Sequence, residues 1–413
     1  MSGAQPGRDP ETASYRPSST GFDAASRIPI RKAAERRVSA IAGLLALLVA
    51  ACSGPILANP PLVPVTPATL APAPSRAPDP IAIAFPPDDA PHDRLTEWWY
   101  CTGHLTDEAG GRWGFELVVF RAERGGFPVT WASHLALTDE SGGTFSYAQR
   151  SEIGPQVDRS PDGGEAFSLA VRDTSAADPT GAGSRPWTIS SASGPDHLSA
   201  ALDDGTALEI DLLARTPPIL HDGDGWIDFG PAGGSYYYSR TRMAAGGTLT
   251  VDGRSLSVAG TAWFDHQWGD FISVGGGGWD WFAVNLDDGT DLTISLVRAA
   301  DGSYPLVYGT LVGAAGGTTN LAQTAFEVRA DPSRTWTSPA TGATYPAGWT
   351  IEVPGEGLVI DLEPTVAAQE LDTRATTGVI YWEGSQVVAA TRDGTPVRGE
   401  AYVELTGYAP AVP

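Results

Sequence analysis

Lysine is all but missing from this chain of 413 residues, and Lys32 is the only one. It lies in a leader-like stretch. The body of the chain therefore cannot form a lysine Schiff base, hold pyridoxal phosphate covalently or use a P-loop lysine. Cysteine is nearly as scarce, with Cys52 and Cys101 alone. No Cys-x-x-Cys pair or Cys/His cluster exists, which argues against a structural zinc site. The six histidines, His92, His104, His134, His197, His221 and His266, are scattered, none at HxxxH or HExxH spacing. Only a site assembled through space could use them, so neither metal nor organic cofactor is expected. Positive charge is also short. The 26 basic residues against 49 acidic ones leave a net charge of −23. The lack of a basic patch to neutralise phosphates argues against nucleic acid as a partner.

What is present is turn chemistry. The 49 glycines and 34 prolines, with 42% apolar residues and little helical periodicity, describe an all-β chain able to bury a core. Near the start, Arg27, Arg31, Lys32, Arg36 and Arg37 precede a short apolar run, Ile41 to Ala51. This is the pattern of a secretory signal, too short for a comfortable membrane span. The run ends Val49-Ala50-Ala51-Cys52. That ending resembles the bacterial lipobox, in which the cysteine is lipidated. The expectation is a leader over 1–51, lipidation at Cys52, a Pro/Ala-rich tether over 52–80, and a lipid-anchored protein on the extracytoplasmic side of the cell membrane. Cys101 would then have no disulfide partner. Following two tryptophans, it reads as a buried thiol.

Short strands fill the rest. Glu97-Trp98-Trp99-Tyr100-Cys101-Thr102 predicts a strand with Trp98, Tyr100 and Thr102 on one face and Glu97, Trp99 and Cys101 on the other. Leu202-Asp-Asp-Gly-Thr206 and Leu286-Asp-Asp-Gly-Thr290 share the offsets of the Leu, Ile and Leu that follow them. This suggests two related β units, although Asp-Gly turns recur in any β protein. Residues 336–346 read as a loop.

The densest mixture of aromatic and titratable groups is Trp263-Phe264-Asp265-His266-Gln267-Trp268-Gly269, followed by Trp279-Asp280-Trp281. A carboxyl held between indole rings is poorly solvated. Its pKa rises and it becomes an acid near neutral pH. The plainer reading is core tryptophans beside a turn aspartate.

Four motifs stand in order: Glu97-Trp98-Trp99-Tyr100 with Gly103-His104-Leu105; Tyr237-Tyr238-Ser239-Arg240; Trp263 to Gly269; and Gly278 to Phe282. Together they resemble the AttH/carotenoid 1,2-hydratase (CrtC) family of lipocalin-like proteins. The resemblance covers roughly residues 81–410. It implies two consecutive lipocalin-like antiparallel β-barrel domains, over 81–245 and 246–413, with a ligand site where they meet. The Trp263 stretch would open the second barrel and face the first. The family includes carotenoid hydratases, related cyclases, and lipoproteins associated with ABC-type exporters.

Three function classes follow, of which one, a purely structural exporter accessory, needs no pocket. The first is a binding protein. Here an aromatic cavity takes a lipid or isoprenoid, with Trp98, Trp99, Tyr100, His104, Tyr237, Tyr238, Arg240, Trp263, Trp268, Trp279, Asp280 and Trp281 at the ligand, and the resemblance offers an ABC-type exporter as partner. The lipobox and tether favour this class. The alternative is a carotenoid 1,2-hydratase or related cyclase. Asp265 would protonate a C=C bond, indole and phenol faces would stabilise the cation, and His266 or Glu97 would handle the water. An ion pair between Asp265 and Arg240 or His104 would defeat the acid role.

Overall fold

The computed structural model describes residues 78–174, 185–191, 194–272 and 276–409. The expected leader, Cys52 and nearly all of the expected tether lie outside the described residues. Among those described, the helical elements are single 3₁₀ turns of three residues, and the rest of the regular structure is strand. Two sheets, each curled nearly into a barrel, carry the fold.

The first sheet contains β1 (Thr96–Asp107), β2 (Arg112–Ala122), β3 (Thr130–Asp139), β4 (Thr144–Ile153), β5 (Phe167–Val171) and β6 (Trp187–Ser191). It continues with β7 (Asp196–Ala201), β8 (Ala207–Ala214), β9 (Ile219–Leu220), β10 (Trp226–Asp228), β11 (Gly234–Val251) and β12 (Arg254–Gly269). Its order is β4-β3-β2-β1-β12-β11-β8-β7-β6-β5, with β9 and β10 on β11. The second sheet contains β13 (Gly276–Leu286), β14 (Asp291–Ala299), β15 (Leu306–Val312), β16 (Thr318–Leu321) and β17 (Glu327–Ala330). After a separate small ladder of β18 (Thr335–Thr337) and β19 (Thr344–Pro346) come β20 (Trp349–Val353), β21 (Leu358–Pro364), β22 (Glu370–Asp372), β23 (Ile380–Arg392) and β24 (Thr395–Thr406). Here the order is β16-β15-β14-β13-β24-β23-β21-β20-β17, with β22 on β23. The segment expected to be a loop thus contains the β18–β19 ladder.

The two orders correspond. In each sheet a four-strand meander meets the last strand of the sheet, and a long final hairpin follows. Both hairpins turn on Asp-Gly with positive φ at each residue, Asp252 and Gly253 in one and Asp393 and Gly394 in the other. That is the turn whose twist suits a two-residue hairpin. Two related units are therefore present, but the Leu-Asp-Asp-Gly-Thr match aligns the wrong hairpins. The first copy joins β7 to β8, whose counterparts are β20 and β21, whereas the second joins β13 to β14.

Sheet membership also moves the expected boundary. Residues 245 and 246 lie inside β11, and β12 pairs with β11 from Arg254 to Gly269 and with β1 from Val258 to Gly269. The Trp263 stretch therefore closes the first sheet and does not open the second. The reason is the Asp252-Gly253 turn, which folds the chain straight back onto β11.

Each sheet encloses its own apolar core. Trp99, Phe115, Leu135, Leu208, Phe264 and Trp268 are among the residues filling the first. Phe282, Ile294, Trp349, Ile360 and Trp382 are among those filling the second. Cys101 is a free, buried thiol in the first core. Between the sheets a third cluster forms from Tyr100, Val118, Trp263, Trp281, Ala283 and Tyr402.

Polar ties cross the same junction. Tyr100 donates to Glu383 at 2.7 Å, Thr241 to Asp291 at 2.7 Å, and His104 meets the Ala401 carbonyl at 3.1 Å. A register shift in β11 between Arg240 and Met243 marks a bulge beside Thr241 and Arg242. Both residues reach Asp291, the re-aiming that bulges allow next to a site.

Candidate active site

Strand alternation sorts the predicted site residues onto two faces. On β12, Trp263 and Asp265 point toward the second sheet, while Phe264 and Trp268 point into the first core. On β1, Trp98 and Tyr100 face the second sheet and Trp99 the first core. On β11, Tyr237 faces the second sheet and Tyr236 and Tyr238 the core.

The outward faces line a cavity of about 330 Å³ between the sheets. Trp98, Tyr100, Tyr237, Asp265, Trp279 and Trp281 all reach it. Phe120, Phe229, Phe271 and Ile272 add apolar wall. Among the described residues, no Lys, Arg or His is part of the lining. Asp265 is 3% exposed. With Asp265 ionised, its Oδ2 accepts from the Tyr237 hydroxyl at 2.5 Å, and its Oδ1 from the Trp263 indole N–H at 2.6 Å and from Ser239. Trp281 donates in turn to the Tyr237 oxygen at 3.1 Å. Burial pushes the Asp265 carboxyl up to about 7, although its three donors pull the other way. Burial dominates because no positive charge compensates the carboxylate. Neither Arg240 nor His104 pairs with it.

Arg240 lies on the inner face and grips Asp89 through two bonds of 2.8 Å. His104 is spent on Glu140 at 2.8 Å and on the second sheet. Tyr238 bonds to Asp89, and Trp268 stacks on His92 at 4.2 Å. Glu97 and His266, expected beside Asp265, also sit on the inner face and are 0% exposed. Glu97 Oε1 meets His266 Nε2 at 2.9 Å and His92 Nδ1 at 2.7 Å. Neither reaches the Asp265 cavity, because adjacent residues of a strand point to opposite sides. Among the described residues, His92, Glu97 and His266 come nearest to a metal-binding set, their ligand-type atoms within 4.8 Å of one another. Both imidazoles already hydrogen-bond to the Glu97 carboxylate. Asp280 turns away from Trp279 and Trp281 toward Tyr408 at 3.0 Å and Arg298 at 3.2 Å; burial raises its carboxyl to about 6.

Sequence reasoning placed Trp279 and Trp281 of the second sheet at the cavity but missed its buried acids and the rest of that sheet's wall. Glu404 on β24 lines it, and burial raises its carboxyl to about 7, helped by the Asp265 charge. Glu116 lines it from β2, bonded to the Tyr381 hydroxyl at 2.9 Å, and burial raises its carboxyl as well. Tyr308 and Ser295 complete this side. A signal existed: Phe115-Glu116-Leu117 and Val403-Glu404-Leu405 each place one acid inside an apolar strand. A charge there is either paired or functional.

Residues 76–408 match the AttH-like family. The chain belongs to that family. The crystal structure of an AttH protein from Nitrosomonas europaea is similar to this AttH-like chain, with a TM-score of 0.68 and 30% identity, over 81% of this chain and 100% of that one. Kievitone hydratase from Nectria haematococca has a TM-score of 0.61 at 19% identity, over 79% of this chain and 93% of that one; this likeness is one of fold. The dehydratase asqC from Emericella nidulans is 24% identical over 247 residues, 52% of this chain and 68% of that protein.

Proposed function

We propose that this AttH-like chain adds or removes water across a C=C bond of an apolar substrate held between its two sheets. The observation that carries the reading is Asp265: buried among aromatic rings, facing a cavity, and held by neutral donors with no cation. Two relatives named for hydration or dehydration support the same class of chemistry. The alternative weighed from the sequence thus becomes the main reading.

In the hydration direction Asp265 gives its proton to one alkene carbon, and the positive charge develops on the other. The rings of Trp98, Tyr100 and Trp281 border the cavity. Each ring stabilises a cation by roughly 0.5–2 kcal/mol. Water adds to the cation and passes a proton to the Glu404 carboxylate. The Asp265 charge raises the pKa of Glu404, so near pH 7 a state with one proton between the two carboxyls is favoured. Dehydration runs the same steps backward. Acid–base assistance of this kind contributes about 10²–10⁴-fold.

The substrate class follows the resemblance: an acyclic carotenoid or another isoprenoid. The test is to incubate purified chain and its Asp265→Asn variant with a lycopene-type polyene and, separately, a prenylated phenol, and to follow mass gain in isotopically labelled water. Turnover undiminished in Asp265→Asn sinks the acid role. No turnover of any compound, with a lipid copurifying, favours the second reading: a hydrophobic-ligand carrier beside an ABC-type exporter. The aromatic cavity suits that reading too. Anchoring through Cys52 is part of both. Palmitate incorporation abolished by Cys52→Ser supports it, and an unlabelled wild type removes it.

A further inference from the structure

The residues around Asp265 leave little freedom in where its proton can sit. The Trp263 indole can only donate, so it takes one position on Oδ1. The Trp281 indole can only donate, and it does so to the Tyr237 oxygen. The hydrogen of Tyr237 therefore goes to Oδ2 of Asp265. A protonated Asp265 then has one protein acceptor left, the Ser239 oxygen, which lies against Oδ1. A Ser239 that accepts must send its own hydrogen elsewhere. His221 Nε2 stands 2.7 Å away, and His221 Nδ1 stands 2.9 Å from the Thr310 hydroxyl of the second sheet. The imidazole is fully buried, with its ring 3.9 Å from that of Tyr237.

We propose that His221 is a positioning residue that holds Asp265 protonated by keeping its own proton on Nδ1. This deepens the acid–base reading and rests on it. In that tautomer Nδ1–H donates to Thr310, Nε2 accepts from Ser239, and Ser239 offers Asp265 only a lone pair. In the opposite tautomer Nε2–H donates to Ser239, whose hydrogen then points at Asp265 and favours the carboxylate. The imidazole carries one proton in either case, and both of its partners are hydroxyls with no carboxylate to make it a cation. The other titratable groups that feel the Asp265 charge are Tyr237, Tyr308 and Glu404 around the cavity and Cys101 from the core side. Asp222 and Asp224 flank His221 on its own turn.

Two measurements on the full chain separate the possible failures. Infrared difference spectra between mildly acidic and alkaline pH should show a protonated-carboxyl band that Asp265→Asn removes. Without that band the acid reading itself falls. Nitrogen-15 NMR of histidine-labelled protein, with His221 assigned through His221→Gln, should show the Nδ1–H tautomer on the acid side of the Asp265 titration. A carboxyl band together with an Nε2–H tautomer overturns the role of His221 and leaves the acid reading standing. Thr310→Val removes the acceptor for Nδ1–H. It should lower the midpoint of the Asp265 band by about one pH unit, roughly tenfold in the ionisation constant, and Thr310→Ser should restore it. An unmoved midpoint in Thr310→Val also overturns the proposal.

Discussion

The first sheet carries buried carboxyls on both of its faces, and the two faces treat them differently. On the inner face Asp89 is held by Arg240, and Glu97 by His92 and His266. On the outer face Asp265 is held by a phenol, a hydroxyl and an indole. Burial is severe on both sides. Glu97, with its imidazole partners, is drawn below the usual carboxylate range even though burial, the largest influence, pushes the other way. Asp265, without a cation, is raised to about 7. The inner face therefore uses charge to close a barrel, while the outer face keeps a proton available in an aromatic cavity. A residue's burial does not say which role it has; the sign of its neighbours does.

The largest effect that tests this contrast is chemical. Asp265→Asn should lower turnover by about 10²–10⁴-fold, with the circular dichroism of the sheets unchanged. Next comes the inner face. Arg240→Met leaves Asp89 buried with only Tyr238 and polar neighbours, and removing one partner of a buried pair costs about 3–5 kcal/mol. Urea titration should show that loss, while the pH midpoint of turnover stays in place. If the midpoint moves with Arg240→Met, the two faces are not separate.

The third test is the pH dependence of stability. Asp265 and Glu404 rise from ordinary values of 3.8 and 4.5 to about 7 on folding. Between about pH 4 and 7 the folded chain then binds more protons than the unfolded one. Their contribution is therefore fully present below the unfolded values and is lost as pH rises through the folded ones. Replacing Asp265 by Asn should flatten that decline by roughly 2–4 kcal/mol over the window, measured as unfolding free energy at successive pH values. A slope identical in the two proteins would mean that Asp265 does not titrate there. The smallest effect is at Trp281. Trp281→Phe keeps an aromatic wall but removes the N–H that fixes Tyr237, a change of about 1 kcal/mol. It should reach turnover as a few-fold loss and leave stability nearly untouched.

Much of the cavity face was legible in the chain. Period-two reading of Trp98, Tyr100 and Thr102 against Glu97, Trp99 and Cys101 put the right residues on each face of β1. The same rule applied to β12 separates Asp265 from His266, yet the motif Asp265-His266 read as one unit because its residues are neighbours in sequence. The internal repeat was visible as two Asp-Gly hairpins, but the matching pair was not the one with the most similar letters. Asp252-Gly253 and Asp393-Gly394 are equivalent because each closes the last hairpin of its sheet, a property of strand order that no local pattern contains.

By itself, the sequence determined the all-β class, the exclusion of lysine chemistry from the body of the chain, the family, and Asp265 as an acid candidate. Each of these depends on residue type, on absence, or on a period of two. The tertiary structure decided which carboxyls meet a cation. Arg240 lies on the same hairpin as Asp265 but pairs with Asp89, because strand alternation and the path of the N-terminal segment put Asp89 inside the barrel. It also decided that Glu404, far along the chain, shares a cavity with Asp265. Whether a buried acid is a latch or a proton donor depends on the charges within a few ångströms, and those are set only once the two sheets face each other.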